Sequence, residues 1–147
     1  MDDYTKLVAL HKHWVTADSI NHHLRQSLST PQEGSERALS DSGQMMSIFA
    51  ALSVWYSLLY VVVEGYRELN YHDEQTDLLL AHAEYVTALR LFRNATFHYQ
   101  GLPPSPKLVT FLEAKDSETW IQELNRALKN FFERELDIEE LLDNSMG

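Results

Sequence analysis

Residues 42–63 are the longest stretch of the chain without a charged side chain, bracketed by Asp41 and Glu64. A segment of that length and composition is an α-helix with apolar side chains all round, and it has two destinations. It either crosses a membrane or lies at the centre of a bundle, covered on two sides. The run holds Ser47, Ser53, Ser57, Tyr56 and Tyr60, and no Lys or Arg lies close to its start. A membrane span prefers cationic flanks and few hydroxyls. The bundle is therefore the expected destination, with a second copy of the chain as one candidate for the second cover.

The rest of the chain has helical spacing. It contains only five Gly and four Pro, with three of the prolines in one short stretch, and no long alternating β-branched segment. A first helix is expected from about Asp3 to Leu28, with Tyr4, Leu7, Leu10, Trp14, Ala17, Leu24 and Leu28 on one stripe and Asp2 or Asp3 as cap. Residues 29–43 are small, polar and turn-rich and read as a loop. The second helix is expected from near Gln44 to about Asn70. Tyr71-His72-Asp73 then makes a short link with Asp73 as N-cap, and a third helix runs to about Tyr99. So short a link implies an antiparallel hairpin. Gln100 to Pro106 ends that helix, Pro106 opens a short one through Leu112, and Asp116 or Ser117 caps a last one. That last helix has Trp120, Leu124, Leu128, Phe131, Phe132 and Leu136 inside. The expectation is all-α: one domain over residues 1–147, an antiparallel bundle of four main helices plus a short extra one.

Composition narrows function. The formal net charge is −10, which argues against coating nucleic acid by bulk charge. It is unevenly spread: residues 78–111 carry Arg90, Arg93 and Lys107 against Glu84, a net +2, while the segments before and after each carry −6. The absence of cysteine excludes a disulfide framework, a thiolate zinc site and a cysteine nucleophile, and fits a reducing compartment. The first 15 residues hold Asp2, Asp3, Lys6 and Lys12 without an apolar run and do not read as a secretory signal; a cytoplasmic, non-membrane protein is expected.

The positive segment contains Arg90-Leu91-Phe92-Arg93-Asn94-Ala95-Thr96-Phe97-His98-Tyr99. A guanidinium on an apolar helix needs a polar cleft or solvent, because burying it unpaired is very costly. At 100° per residue Arg93, Arg90, Asn94 and His98 fall at about 0°, 60°, 100° and 140°, one arc that also contains Phe97 at about 40°. Arg93-Asn94-x-x-x-His98 resembles the Arg-x4–6-His signature of HEPN domains, in which a polar residue often follows the Arg. The likeness of layout extends over most of the chain: a helical hairpin, the motif near the end of its second helix, a proline-rich break and a closing helix.

The resemblance implies a small helical bundle, commonly a homodimer. It implies a metal-independent RNA endonuclease of toxin or defence type, with two motif arcs meeting at a two-fold interface. Implied partners are an RNA substrate, a second copy and a cognate antitoxin; no metal or other cofactor is implied. His98 would act as acid and base, Arg93 would hold phosphate, Asn94 would orient His98 or the phosphate, and Arg90 and Tyr99 would contact substrate. In HEPN toxins paired with a nucleotidyltransferase a Tyr commonly sits two residues after the His; here that position is Gln100. The alternative reading is a non-catalytic bundle of the same type that binds a partner protein or nucleotide.

Other candidates rank lower. Arg67-x4-His72 has the same spacing, but it straddles the end of a helix and a turn, and Glu68 follows its Arg. His11, Asp18 and His22 share a side of the first helix and could ligate a metal, though a solvated flank is the expected reading. His13 and His23 belong to that flank, and His72 to the turn. His82 fits either the core or the cleft. Glu64 is expected opposite about residue 79, about 14 residues or roughly 21 Å along the helix from Arg93, with about Met45 to Ala50 nearest the motif. There is no Gly-rich phosphate loop, Gly-x-Ser-x-Gly elbow or His-Glu-x-x-His pair.

Overall fold

The computed structural model describes residues 2–29, 37–97 and 106–136, and everything described is helix or a short link between helices. The elements are α1 (Asp3–Ser29), α2 (Arg37–Glu68), α3 (Glu74–Leu80), α4 (Ala83–Phe97), α5 (Pro106–Glu113) and α6 (Lys115–Glu135). The protein is all-α. The central helix is α2, which packs against α1 on one side and α4 on another; α3 leans on α6, and α5 bridges α4 and α6.

Helix α1 follows its stripe. Leu7, Leu10, Trp14, Ala17 and Leu24 are buried, and the Asp2 carboxylate accepts the Thr5 N–H at 2.7 Å as a cap. Tyr4, expected on the stripe, is half exposed in the first turn of α1. The side chain of Leu28 lies outside the described residues. Helices α1 and α2 approach closely at Gly65, where an added Cβ would stand 2.5 Å from Leu10 Cδ1. Tying α1 to α6, the Trp14 indole donates to Asn125 Oδ1 at 3.0 Å, and Asn125 Nδ2 donates to Asp18 at 3.0 Å.

The charge-free segment lies within α2, which begins at Arg37. Residues 37–43 are therefore helical rather than loop, and residues 30–36 lie outside the described ones. The polar composition of this stretch contains no helix breaker from 37 to 42, and Gly43, with open space around it, costs only about 1 kcal/mol. Among the described residues, one segment, Met46–Glu68, is long and apolar enough to cross a membrane, with mean hydropathy 2.0. Its second half is core: Trp55, Tyr56, Leu59, Val62, Val63 and Tyr66 are buried, while Met46 and Phe49 face outward. The helix ends in a Schellman-type turn. Asn70 takes the left-handed conformation at φ 59°, and the Tyr71 N–H reaches back to the Tyr66 carbonyl at 3.2 Å.

Asp73 caps α3 as expected. Its carboxylate accepts the Thr76 N–H at 3.0 Å and the Thr76 hydroxyl at 2.7 Å, and it pairs with Arg134 of α6. Burial works to raise the Asp73 pKa, but the hydrogen bonds from Thr76 and Arg134 outweigh it and hold the carboxyl below its usual range.

The expected long third helix is broken in two. Its chain stops at Leu80 and restarts at Ala83, although neither Gly nor Pro is nearby. Side chains from elsewhere bond the carbonyls that a continuous helix would use, and the His82 N–H also reaches the Leu79 carbonyl, at 3.3 Å. The Trp120 indole of α6 donates to the Leu79 carbonyl at 2.8 Å, and Arg67 reaches the Leu80 carbonyl at 3.5 Å. The Ala83 N–H turns instead to the Ala81 carbonyl at 2.9 Å. The seven residues of α3 cross to α6, and α4 then returns along α2.

Helix α5 opens at Pro106 as its sequence suggests. The N-cap of α6 is Ala114, without a side-chain cap bond, so Asp116 and Ser117 are not its caps; both already have helical backbone in the first turn. The inner face of α6 is the expected one, with Trp120, Leu124, Leu128, Phe131, Phe132 and Leu136 buried.

Candidate functional site

The break after α3 decides what lies beside the motif. Helix α4 buries Val86, Ala88, Leu89 and Phe92 and leaves Arg90 exposed at its edge. Arg93, one turn later, points at α2. Its Nη1 donates to Glu64 Oε2 at 2.6 Å, its guanidinium lies 4.6 Å from the centroid of the Tyr60 ring, and Nη2 makes a long 3.4 Å contact with Asn94 Oδ1. Glu64 is therefore not remote from the motif, and the helix-two residues beside Arg93 are Tyr60 and Glu64 rather than Met45 to Ala50. The hairpin register inferred from a three-residue link fails because α3 is used up in the crossing to α6.

Tyr60, Glu64 and Arg67 lie four and seven residues apart and so share one side of α2. Opposite them on α4 stand Thr87, Arg90 and Arg93. This seam carries three guanidiniums and one carboxylate. The Arg93 side chain is 25% exposed and that of Glu64 51%, so the pair sits at the lip of the seam, open to a solute. A pair this open is worth about 0–1 kcal/mol, which a phosphate can displace or share. The planar fork of Arg93 has five N–H donors, and Glu64 engages one nitrogen.

Asn94 is half-buried next to Arg93, and Phe97, in the same arc, is 51% exposed at the end of α4. His98 and Tyr99 lie outside the described residues. What the structure brings together of the expected site is Arg90, Arg93 and Asn94. It adds Tyr60, which sequence reasoning missed, and Glu64 and Arg67, which it had placed away from the motif. A signal existed for them: Glu64 is the sole charge between Asp41 and Arg67, and Tyr60 and Arg67 flank it at helical spacing.

The second Arg-x4-His match has its own setting. Arg67, Asn70, His72 and Asp77 border a cleft of about 360 Å³ at the α2–α3 turn. His72 Nδ1 is 3.3 Å from Asp77 Oδ2, and Asp77 Oδ1 accepts the Tyr66 hydroxyl at 2.7 Å. His82 is exposed and stacks on Tyr85 at 5.6 Å, which places it on the surface rather than in the core or the seam. Among the described residues no group of three His, Asp or Glu is placed to hold a metal ion. His22 pairs with Asp18 at 3.3 Å, but His11 turns away, stacking on Trp14 and against Phe132. His11 is thus half-buried rather than solvated, and burial lowers its pKa.

Comparison with protein-family models, with curated proteins and with solved structures gave no match. Functional reading therefore rests on the residues and their geometry.

Proposed function

We propose that this chain is a metal-independent RNA endonuclease of the HEPN type, acting in the cytoplasm as a homodimer whose two motif arcs form one composite site. The observation that carries the reading is the setting of Arg93. It stands in the seam of an all-helical chain, oriented by Glu64 and Tyr60 and one turn from Arg90, and His98 follows it by five residues.

The reaction is an intramolecular transesterification. A base takes the 2′-hydroxyl proton, the 2′-oxygen forms a bond to phosphorus, and the bond from phosphorus to the 5′-oxygen breaks. An acid gives a proton to that leaving oxygen, so the products are a 2′,3′-cyclic phosphate and a 5′-hydroxyl. Histidine, with a pKa near 6.5, serves as base in its neutral form and as acid in its charged form. Two copies of His98 across a two-fold axis divide the roles. Arg93 holds the non-bridging oxygens and stabilises the charge that grows on them. Glu64 keeps the Arg93 fork in one orientation, which makes it a positioning residue.

The test is cleavage of single-stranded RNA in EDTA by the purified protein. Wild type is expected to cut and His98→Ala to be inactive; equal cleavage by both would end the proposal. The alternative, a non-catalytic bundle that binds a partner protein or nucleotide, is favoured by the Glu64–Arg93 pair, which already satisfies part of the guanidinium. Growth on expression separates the two. Toxicity lost in Arg93→Ala supports the nuclease, and no toxicity with either form supports the binding module.

A further inference from the structure

Beside the Arg93 pair the seam opens into a small cleft of about 190 Å³, bordered by Arg67 and Tyr60 of α2 and by Thr87 and Arg90 of α4. Its border carries two guanidiniums and no carboxylate. Their partners are few. Arg90 has no ion pair or hydrogen bond among the described residues, and Arg67 has only the 3.5 Å contact to the Leu80 carbonyl. The carboxylate within the seam, Glu64, is committed to Arg93. Asp77, in the neighbouring cleft that Arg67 also borders, is engaged by Tyr66 and His72. Two like charges on one concave surface repel, and an anion between them relieves that repulsion. Tyr60 and Thr87, which also border it, carry neutral hydroxyl donors, and both arginines are exposed, so a ligand reaches the cleft without unfolding anything.

We infer that Arg67 and Arg90 form a phosphate-binding subsite that grips the RNA strand one phosphate away from the group held by Arg93. This rests on the nuclease reading for its ligand, and it gives a role to Arg67, whose own Arg-x4-His spacing the motif had left idle. Guanidiniums suit the task because their planar forks match two phosphate oxygens at once. Three arginines on one seam then define a track along the α2–α4 groove rather than a single contact.

The experiment measures binding of a fluorescent single-stranded 2′-deoxy oligonucleotide, which lacks the attacking hydroxyl and stays intact, over a range of salt. Each phosphate contact on a single strand adds about 0.7 to the slope of log K against log salt. Arg67→Gln and Arg90→Gln are each expected to weaken binding about tenfold and to lower the slope by about 0.7. Arg126→Gln, which removes the same charge from an exposed position on α6, is expected to change neither. Helical circular dichroism confirms that each variant is folded. Wild-type affinity and slope in folded Arg67→Gln would overturn the subsite, as would a wild type that binds no oligonucleotide. If pyrophosphate binding depends on Arg67 while oligonucleotide binding does not, the cleft takes free phosphates and the strand contact is wrong. RNA cleavage is scored separately. A protein that binds through Arg67 but does not cut keeps the subsite and loses the nuclease, and one that cuts with an unchanged Arg67→Gln slope does the reverse.

Discussion

At the scale of single residues, Glu64 is the sharpest case. It is the one charge inside an apolar stretch, and simple hairpin arithmetic sends it far from Arg93, yet the two meet at 2.6 Å. The pair sits half in solvent, so replacing Glu64 by Gln is expected to change stability by less than about 1 kcal/mol, read from a urea melt. Its effect on RNA is expected to be larger and two-sided. Removing the competing carboxylate tightens oligonucleotide binding several-fold. The untethered Arg93 fork lowers kcat, because a guanidinium that must be oriented at the moment of reaction stabilises the transition state less. Steady-state kinetics on RNA check this: a fall in KM with a fall in kcat agrees, and unchanged values of both would show that Glu64 only decorates the seam. Arg90, Arg93 and Asn94 stand out in the sequence because polar residues on an apolar helix demand an explanation; His98, singled out with them, lies outside the described residues. Tyr60, Glu64 and Arg67 were not joined to them, because the register between two helices is a property of the connection and not of either helix.

At the scale of elements, that connection is the α3–α4 break. Long helices, the Asp73 cap and the proline-opened α5 were readable because each is signalled within a few residues. The break was not, because the side-chain bond that accompanies it comes from afar: the Trp120 indole, 41 residues away, donates to the Leu79 carbonyl. Trp120→Phe keeps most of the packing and removes this one donor. It is expected to destabilise the fold by about 0.5–1.5 kcal/mol in a denaturant titration, the net value of one buried hydrogen bond, because the His82 N–H still reaches the Leu79 carbonyl at 3.3 Å. The Asp73 cap has a different signature. Asp73→Ala is expected to cost about 1–2 kcal/mol at neutral pH. The Asp73 carboxyl is depressed in the folded protein, so the ionised form favours folding. Its contribution is present above the unfolded-state value near 3.9 and is lost as pH falls through the lower folded value. The stabilities of wild type and Asp73→Asn, followed by thermal melts, are therefore expected to start converging as pH falls below about 3.9 and to meet only below the lower folded value. A gap that persists at low pH would mean that the cap does not depend on the charge.

At the scale of the whole molecule, the charge-free stretch that limits the possible folds turns out to straddle two environments. From Trp55 to Val63 it is the centre of an all-helical fold, and at Met46 and Phe49 it is exposed. The fold class was legible because helical spacing runs through nearly all of the chain. Which helices touch which was only partly so, since α3 leans on α6 rather than continuing the hairpin. The net charge of −10 leaves only a local patch for the proposed RNA contact, and the arginine seam of α2 and α4 is the patch proposed for it. The central claim is that this seam serves RNA cleavage through His98. The most direct measurement is single-turnover cleavage of single-stranded RNA in EDTA by wild type and by His98→Ala, with the products resolved by their ends. The account requires a wild type that leaves 2′,3′-cyclic phosphate and 5′-hydroxyl ends and a mutant reduced to background. Equal cutting by both proteins, or no cutting by folded wild type, would contradict it.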